Sequence, residues 1–423
     1  MRQEERFPGL LCLSVSRKIF EYDDDDENEN HSADTSVQIL QHCFFVSCST
    51  PLLVTVKMTL RCSLILVGSL LGTIYPTGVR SLKAEWIPWT GVRQNITPRR
   101  SGHTAFVHDG TTPYVFGGYV EQDGKDQKLD RHVTADLWKW SAEKNEWKSL
   151  PQTGDIPGPR LCSAAAVLHN KAYLFGGWDP QTEGTGGIIL DSIHELDLDN
   201  DSEDGANWKE LDTTLPDGPT SRHVAVSLVA RNLILVHTHR CVGYVLLFDP
   251  LTKIFTKQPT TGPCPTSRGL HAATVLMDDT VVLFGGAAQD QTMSNEAFVL
   301  DTVQWKWSRI DCNNGDQQGP SARAGPCICA YDSDSVVVFG GAEATATGLH
   351  PRGDVWALSL EKNQWELLID DNDNGESRPP PRNAASLTQI NLEGKTGKGF
   401  LLNGGWAPFR QTWDDCFLLH VHD

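Results

Sequence analysis

Methionine is scarce in this chain, at 4 of 423 residues, and basic side chains are outnumbered, 36 Lys and Arg against 54 Asp and Glu. The formal charge of -18 excludes a nucleic-acid surface as the main business of the molecule, because affinity for a phosphate backbone is carried by Lys and Arg. Catalytic signatures are also missing: no G-x-x-x-x-G-K-[ST] phosphate loop, no G-x-S-x-G elbow, no H-E-x-x-H pair and no dinucleotide fingerprint in a strand-helix-strand setting. Apolar runs long enough for a polytopic membrane protein do not occur. What is plentiful is glycine and tryptophan, 37 and 13 residues, in a chain 39% apolar and 21% charged. That balance describes a loop-rich β protein with a sizeable core, in which Gly and Trp hold fixed positions.

The glycines repeat. Pairs stand at Gly117-Gly118, Gly176-Gly177, Gly285-Gly286, Gly340-Gly341 and Gly404-Gly405, each after a short apolar run: YVF, YLF, VLF, VVF and FLLN. Such runs read as buried strands. The first glycines are 59, 109, 55 and 64 residues apart, and the double gap holds a sixth run, ILV, followed by His237-Thr238. Six units of about 57 residues fit these spacings. Upstream of each pair an arginine opens an Ala-rich strand, at Arg99 (doubled by Arg100), Arg160, Arg222, Arg268, Arg323 and Arg382. Downstream come a third strand, such as Asp136–Trp140 or Asp354–Leu358, and a fourth that begins at Trp147, Trp208, Phe255, Trp307 or Trp365.

The sixth unit ends after its third strand, Cys416–His420, while Glu85-Trp86 precedes Arg99 with the spacing by which Glu146-Trp147 precedes Arg160. The missing fourth strand is therefore N-terminal. A ring of four-stranded sheets closed in this way leaves no seam. The Arg, Gly-Gly and Trp pattern resembles the kelch repeat over roughly Trp86 to Asp423. The resemblance implies an all-β, six-bladed propeller that holds a protein or peptide partner on its rim loops. Some kelch-type propellers are enzymes (copper sugar oxidases, sialic-acid epimerases, iron-dependent specifiers), but no residue set here carries over to their sites. The rival reading is a secreted carbohydrate-active propeller, resembling galactose oxidase or a sialic-acid epimerase; catalysis is not the favoured reading.

Residues that recur in every blade have a blade-building explanation first. The arginines nevertheless allow two readings. Arg100, Arg160, Arg268, Arg323 and Arg382 face the channel mouth and grip an acidic peptide, or each pairs within its own blade. Blade-specific aromatics follow the glycine pairs at Tyr119, Trp178 and Trp406, where the other intact blades have Ala287 and Ala342; these suit binding or loop packing. Blade three carries His237-Thr-His239-Arg240-Cys241 in place of the pair, read as a degenerate blade rather than a metal site. Neither that stretch, nor His420-Val-His422, nor the calcium-loop imitation at Asp370–Gly375 is taken as a metal centre, and no cofactor is expected.

Before the array, residues 1–57 include an acidic low-complexity run at 21–34, read as a solvated extension. Residues 58–81 have the outline of a secretory signal peptide beginning at Met58, with Cys62–Tyr75 as its apolar part. Read otherwise, the fuller stretch from Cys43 to Tyr75 is an anchor or targeting element, or the segment is an apolar disordered tail of a cytosolic protein, so the compartment stays open between cytoplasm and secretory pathway. The apolar part is short for a membrane span. The propeller itself is placed at 86–423, as a monomer. Of 11 Cys, those at 162, 327, 329 and 416 fall in apolar strands as fillers, while Cys264 and Cys312 are positioned to bridge neighbouring blades if the chain is secreted.

Overall fold

The computed structural model describes residues 81–423 apart from 88–96, 124–128, 183–185, 200–204, 311–318, 374–376, 393 and 409. The acidic run, the candidate leader as far as residue 80 and Cys312 lie outside the described residues. No helix among those described is long and apolar enough to cross a membrane.

Six antiparallel sheets of four principal strands follow one another along the chain. Blade one runs Thr104–His108, Thr112–Asp123, Leu129–Ser141, Glu146–Leu150, and blade two Ala164–Leu168, Lys171–Asp179, Ile188–Asp197, Ala206–Thr214. Blade three is Val224–Leu228, Leu233–His237, Tyr244–Asp249, Ile254–Pro259; blade four is Ala272–Val275, Val281–Phe284, Ala297–Asp301, Lys306–Ile310. Blade five is Cys327–Ala330, Ser335–Phe339, Val355–Ser359, Gln364–Ile369, and blade six Ser386–Ile390, Lys398–Asn403, Cys416–His422. The expected closing strand is Lys83–Ile87, opening three residues before the boundary drawn from the sequence. It pairs antiparallel with Cys416–His422, Trp86 opposite Leu419 and Glu85 opposite His420.

Second strands are apolar without alternation because each sheet is covered on both faces by its neighbours; Leu233–His237 and Ser335–Phe339 are buried almost throughout. First strands are rich in small residues because six of them converge on the axis, each touching the next until the sixth meets the first. A belt of backbone hydrogen bonds circles the mouth above them. The amide of Cys162 donates to Gly102 O (2.7 Å), Arg222 to Cys162 (2.8 Å), Leu270 to Arg222 (2.9 Å), Gly325 to Leu270 (2.8 Å), Ala384 to Gly325 (3.1 Å) and Gly102 to Ala384 (2.9 Å). All six residues have φ between 51° and 63°, so each blade turns its chain through the left-handed region at the same place.

The fourth-strand aromatics seal the blades. Trp208 packs on Phe116 of blade one (5.3 Å between rings), Trp365 on Phe284 of blade four (5.2 Å) and Phe255 on Phe175 of blade two (6.3 Å). Trp86 meets Phe339 of blade five at 5.2 Å. Trp147 of blade one lies against Leu401 and Cys416 of blade six, so blade six is sealed to both of its neighbours.

Candidate functional site

The recurring arginines and glycines form one device, repeated at the mouth. In blade one, Arg100 Nη1 donates to Gly117 O at 2.8 Å. Gly285, Gly340 and Gly404 O receive Arg268, Arg323 and Arg382 in the same way, at 3.3, 3.0 and 2.9 Å. The second glycine of each pair then donates its amide across to the next blade: Gly118 to Arg160 O, Gly341 to Arg382 O (both 2.9 Å) and, closing the ring, Gly405 to Arg100 O at 2.8 Å. A Cβ on Gly117, at φ 64°, would stand 2.7 Å from Arg160 O, so the close approach and the dihedral both require glycine.

The guanidiniums complete the device with a carboxylate from the third strand of blade one or from the residue just before that strand in blades four, five and six. Arg323 is fully buried against Asp354, itself 3% exposed, at 2.6 Å. Arg100 pairs with Asp136 at 2.7 Å and Arg268 with Glu296 at 2.8 Å, and Arg382 holds Asp415. These four arginines, expected at the rim, are turned into their own blades. Their charge is spent on positioning the glycine carbonyl, because a guanidinium this deep needs an anion beside it. Arg160 differs: it is equally buried, yet it donates to Gly158 O, Gly176 O and Ser192 Oγ. Ser192 occupies the place of the carboxylate. Burial without that partner brings the Arg160 pKa down to about 10.

Blade three abandons the device. Arg222 is not the blade-three counterpart of the other arginines; it sits at the left-handed position of the backbone belt, φ 60°, and the equivalent place is held by Thr220. The carbonyl of Thr220 still receives Gly177 N at 2.9 Å, while its hydroxyl receives Arg240 Nη1 at 2.7 Å from the loop that replaces the glycine pair. Released from the pattern, Arg222 lies half-buried over Trp178, 5.3 Å from the ring centroid. Among the described residues neither Arg222 nor Arg240 forms an ion pair. Asp217, which feels the charge of Arg240, is engaged by the Tyr244 hydroxyl at 2.6 Å and by Lys257. Adjacent blades two and three thus hold Arg160, Arg222 and Arg240 together on the mouth side without the usual carboxylates. Sequence spacing hid this, since an arginine two residues out of register looks like a conserved one.

The three rim aromatics are each half-buried and fixed through their backbones: Tyr119 pairs with Ser101, Trp406 with Asn383, and Trp178 exchanges two 2.9 Å hydrogen bonds with Leu161. The His-rich stretch of blade three does not converge: His237 Nδ1 is 3.1 Å from His271 Nε2 of blade four, and Cys241 Sγ accepts Thr238 N at 3.3 Å. Below the mouth a cavity of about 260 Å³ is lined by His103, Ser163, His223, His271 and Ser386 among others. Burial holds His103 and His223 at a pKa of about 3 and His271 well below its ordinary value, so the imidazoles in the cavity wall are neutral; burial likewise holds His237, behind His271, at about 3. Among the described residues Cys241, Cys327, Cys329 and Cys416 form no disulfide, and burial pushes Cys327 and Cys416 up to about 12, where a thiol is an inert filler.

Six four-stranded blades, a chain-crossing closing strand and an Arg–Gly-Gly mouth define a β-propeller of the kelch type. The sequence comparisons agree: the KLHDC2/KLHL20/DRC7 Kelch-repeats domain matches residues 79–286 and 238–395. The chain belongs to the kelch-repeat family. It is 26% identical over 299 residues to Kelch domain-containing protein 2 of Bos taurus, covering 63% of this chain and 68% of that protein. It is 25% identical over 302 residues to Kelch domain-containing protein 1 of Mus musculus, covering 64% and 70%. A match to host cell factor of Drosophila melanogaster, 25% identical over 312 residues, covers 67% of this chain but 20% of that protein.

Proposed function

We propose that this propeller is a protein-interaction scaffold and that its partner presents an acidic segment to the mouth-side rim of blades two and three. The kelch family supports the scaffold role. The observation that carries the acidic segment is Arg222 lying on Trp178 beside Arg240, two guanidiniums without an ion pair among the described residues, on a molecule whose net charge is strongly negative. A carboxylate entering there meets the Arg222 guanidinium and the part of the Arg240 guanidinium that is not spent on Thr220 Oγ and Pro219 O. Tyr119, Trp178 and Trp406 supply the apolar contact, aromatics being the side chains that dominate such interfaces. The buried Arg100, Arg268, Arg323 and Arg382 act by setting the loops that carry these groups, and Arg160 adds positive potential from beneath. One chain closes its own ring, which supports action as a monomer.

Selection of a random peptide library displayed on phage against the full chain tests this reading. Enrichment of Asp- and Glu-containing segments, lost with Arg222→Gly, is expected. Enrichment of neutral or basic sequences indifferent to that change would overturn the acidic preference.

A further inference from the structure

Ring closure brings together groups that lie 335 residues apart in the chain. The closing strand places Glu85 opposite His420 in the antiparallel ladder, and His422, two residues further, projects from the same face. The rings of His420 and His422 stack with centroids 4.8 Å apart and planes inclined by 26°. One ligand atom from each of Glu85, His420 and His422 lies within 4.8 Å of the other two. The orientation of His420 is set from behind: its Nε2 is 2.6 Å from the carbonyl of Thr396. A carbonyl only accepts, so Nε2 donates to Thr396 O; Nδ1 is the nitrogen turned to Glu85 Oε1, at 3.0 Å, and the hydrogen it shares with that carboxylate is the one a metal ion would replace. A backbone acceptor on the far nitrogen is the arrangement that fixes a metal-ligating histidine. His420 is buried, whereas Glu85 and His422 remain accessible to solvent, so the cluster has a rigid inner ligand and an open approach.

We propose that Glu85, His420 and His422 form a binding site for a divalent transition ion of the zinc class, clasping the closing strand to the last strand of the ring. Two imidazoles and one carboxylate are a donor set this class accepts, with a further position left to water. Lys395 also contacts Glu85 Oε1, at 3.0 Å with its side chain 42% exposed. The ion displaces that ammonium, a surface contact of small worth. His422 Nδ1 is 2.9 Å from the Asp423 carbonyl, which leaves Nε2 as its coordinating nitrogen. The sequence shows only a His-x-His pair; the carboxylate arrives through the fold, and for that reason the pattern of residues alone assigns no metal there.

Zinc sulfate titrated into the full chain, followed by calorimetry and thermal melting, is the test, with Glu85→Gln and His422→Ala as comparison proteins. One equivalent bound by the wild type, a rise in its melting temperature, and loss of affinity on the order of tenfold or more in both variants are expected. Because His422 is partly exposed and Glu85 sits on the surface, both variants fold, as their metal-free melting curves will show. Uptake of zinc unchanged in both variants, which would locate it elsewhere among the protein's His and Cys, or a wild-type melting temperature unmoved at saturating zinc, would overturn the proposal.

Discussion

Asp354→Asn leaves Arg323 inside blade five with no anion beside it. In the wild type the two carboxylate oxygens sit 2.6 and 2.9 Å from the guanidinium nitrogens, Oδ2 also accepts Trp356 Nε1 at 2.8 Å, and neither side chain is more than 3% exposed. Water cannot replace the lost charge at that depth, so the variant carries the full cost of an uncompensated buried ion, about 3–5 kcal/mol. Asp136, which does the same work for Arg100 in blade one, is 27% exposed, and its Asn variant is expected to cost less, about 1–3 kcal/mol. Replacing both partners in blade five, Arg323→Met with Asp354→Leu, removes the charge together with its counter-charge and should return most of the loss. Blade two supplies the converse: Ser192→Asp provides Arg160 with its missing carboxylate and should raise stability. Urea unfolding followed by tryptophan fluorescence, with the slope on denaturant unchanged, measures all four. A loss below about 1 kcal/mol for Asp354→Asn, or a destabilised Ser192→Asp, would refute the reasoning that these arginines are held by burial and pairing.

Trp86→Ala should cost about 3 kcal/mol, the lower end for an aromatic truncation because the ring is half-buried, and the loss should appear as earlier melting of the whole ring; an unshifted melting curve would contradict closure by Lys83–Ile87. Stability should also fall with acid in a defined window. His103, His223 and His237 titrate near 3 in the folded chain against 6.5 when exposed, so below pH 6.5 the unfolded state takes up protons that the folded state does not. Their contribution is complete above that pH and declines as pH drops toward 3, by about 1–2 kcal/mol for each imidazole at pH 5. Equal urea midpoints at pH 7.5 and pH 5 would rule this out. Arg222→Gly should leave the urea midpoint unchanged or slightly higher, since its φ of 60° suits glycine; a drop of more than about 1 kcal/mol would mean that the side chain, not the belt, holds blade three.

Most of the ring was legible because its determinants are local and repeated. The glycine pair, the apolar run before it and the fourth-strand aromatic recur at steady offsets, and the orphan Trp86 strand could be matched to Trp147 by spacing alone. Less of the candidate site was legible. The arginines repeat as visibly as the glycines, but whether a guanidinium faces solvent or an Asp thirty residues later depends on sheet pairing that no local pattern states. Arg222 passed for a member of the series because two residues of register are invisible without the belt of hydrogen bonds that fixes Cys162, Arg222 and Leu270 as equivalents. Ser192 in place of an acid, the feature that sets blade two apart, emerges only once Asp136, Glu296, Asp354 and Asp415 are seen doing one job. Glu85 beside His420 is a product of closure and has no sequence signature.

The central claim, that blades two and three hold an acidic partner segment through arginines freed from blade building, is tested most directly by titrating a selected acidic peptide into the wild-type chain and into Arg222→Gly, with melting curves recorded on both. The account predicts tenfold or weaker binding by the variant at an unchanged melting temperature, and a milder dependence on salt. Equal affinity in the two proteins would contradict it and move the binding surface away from this rim.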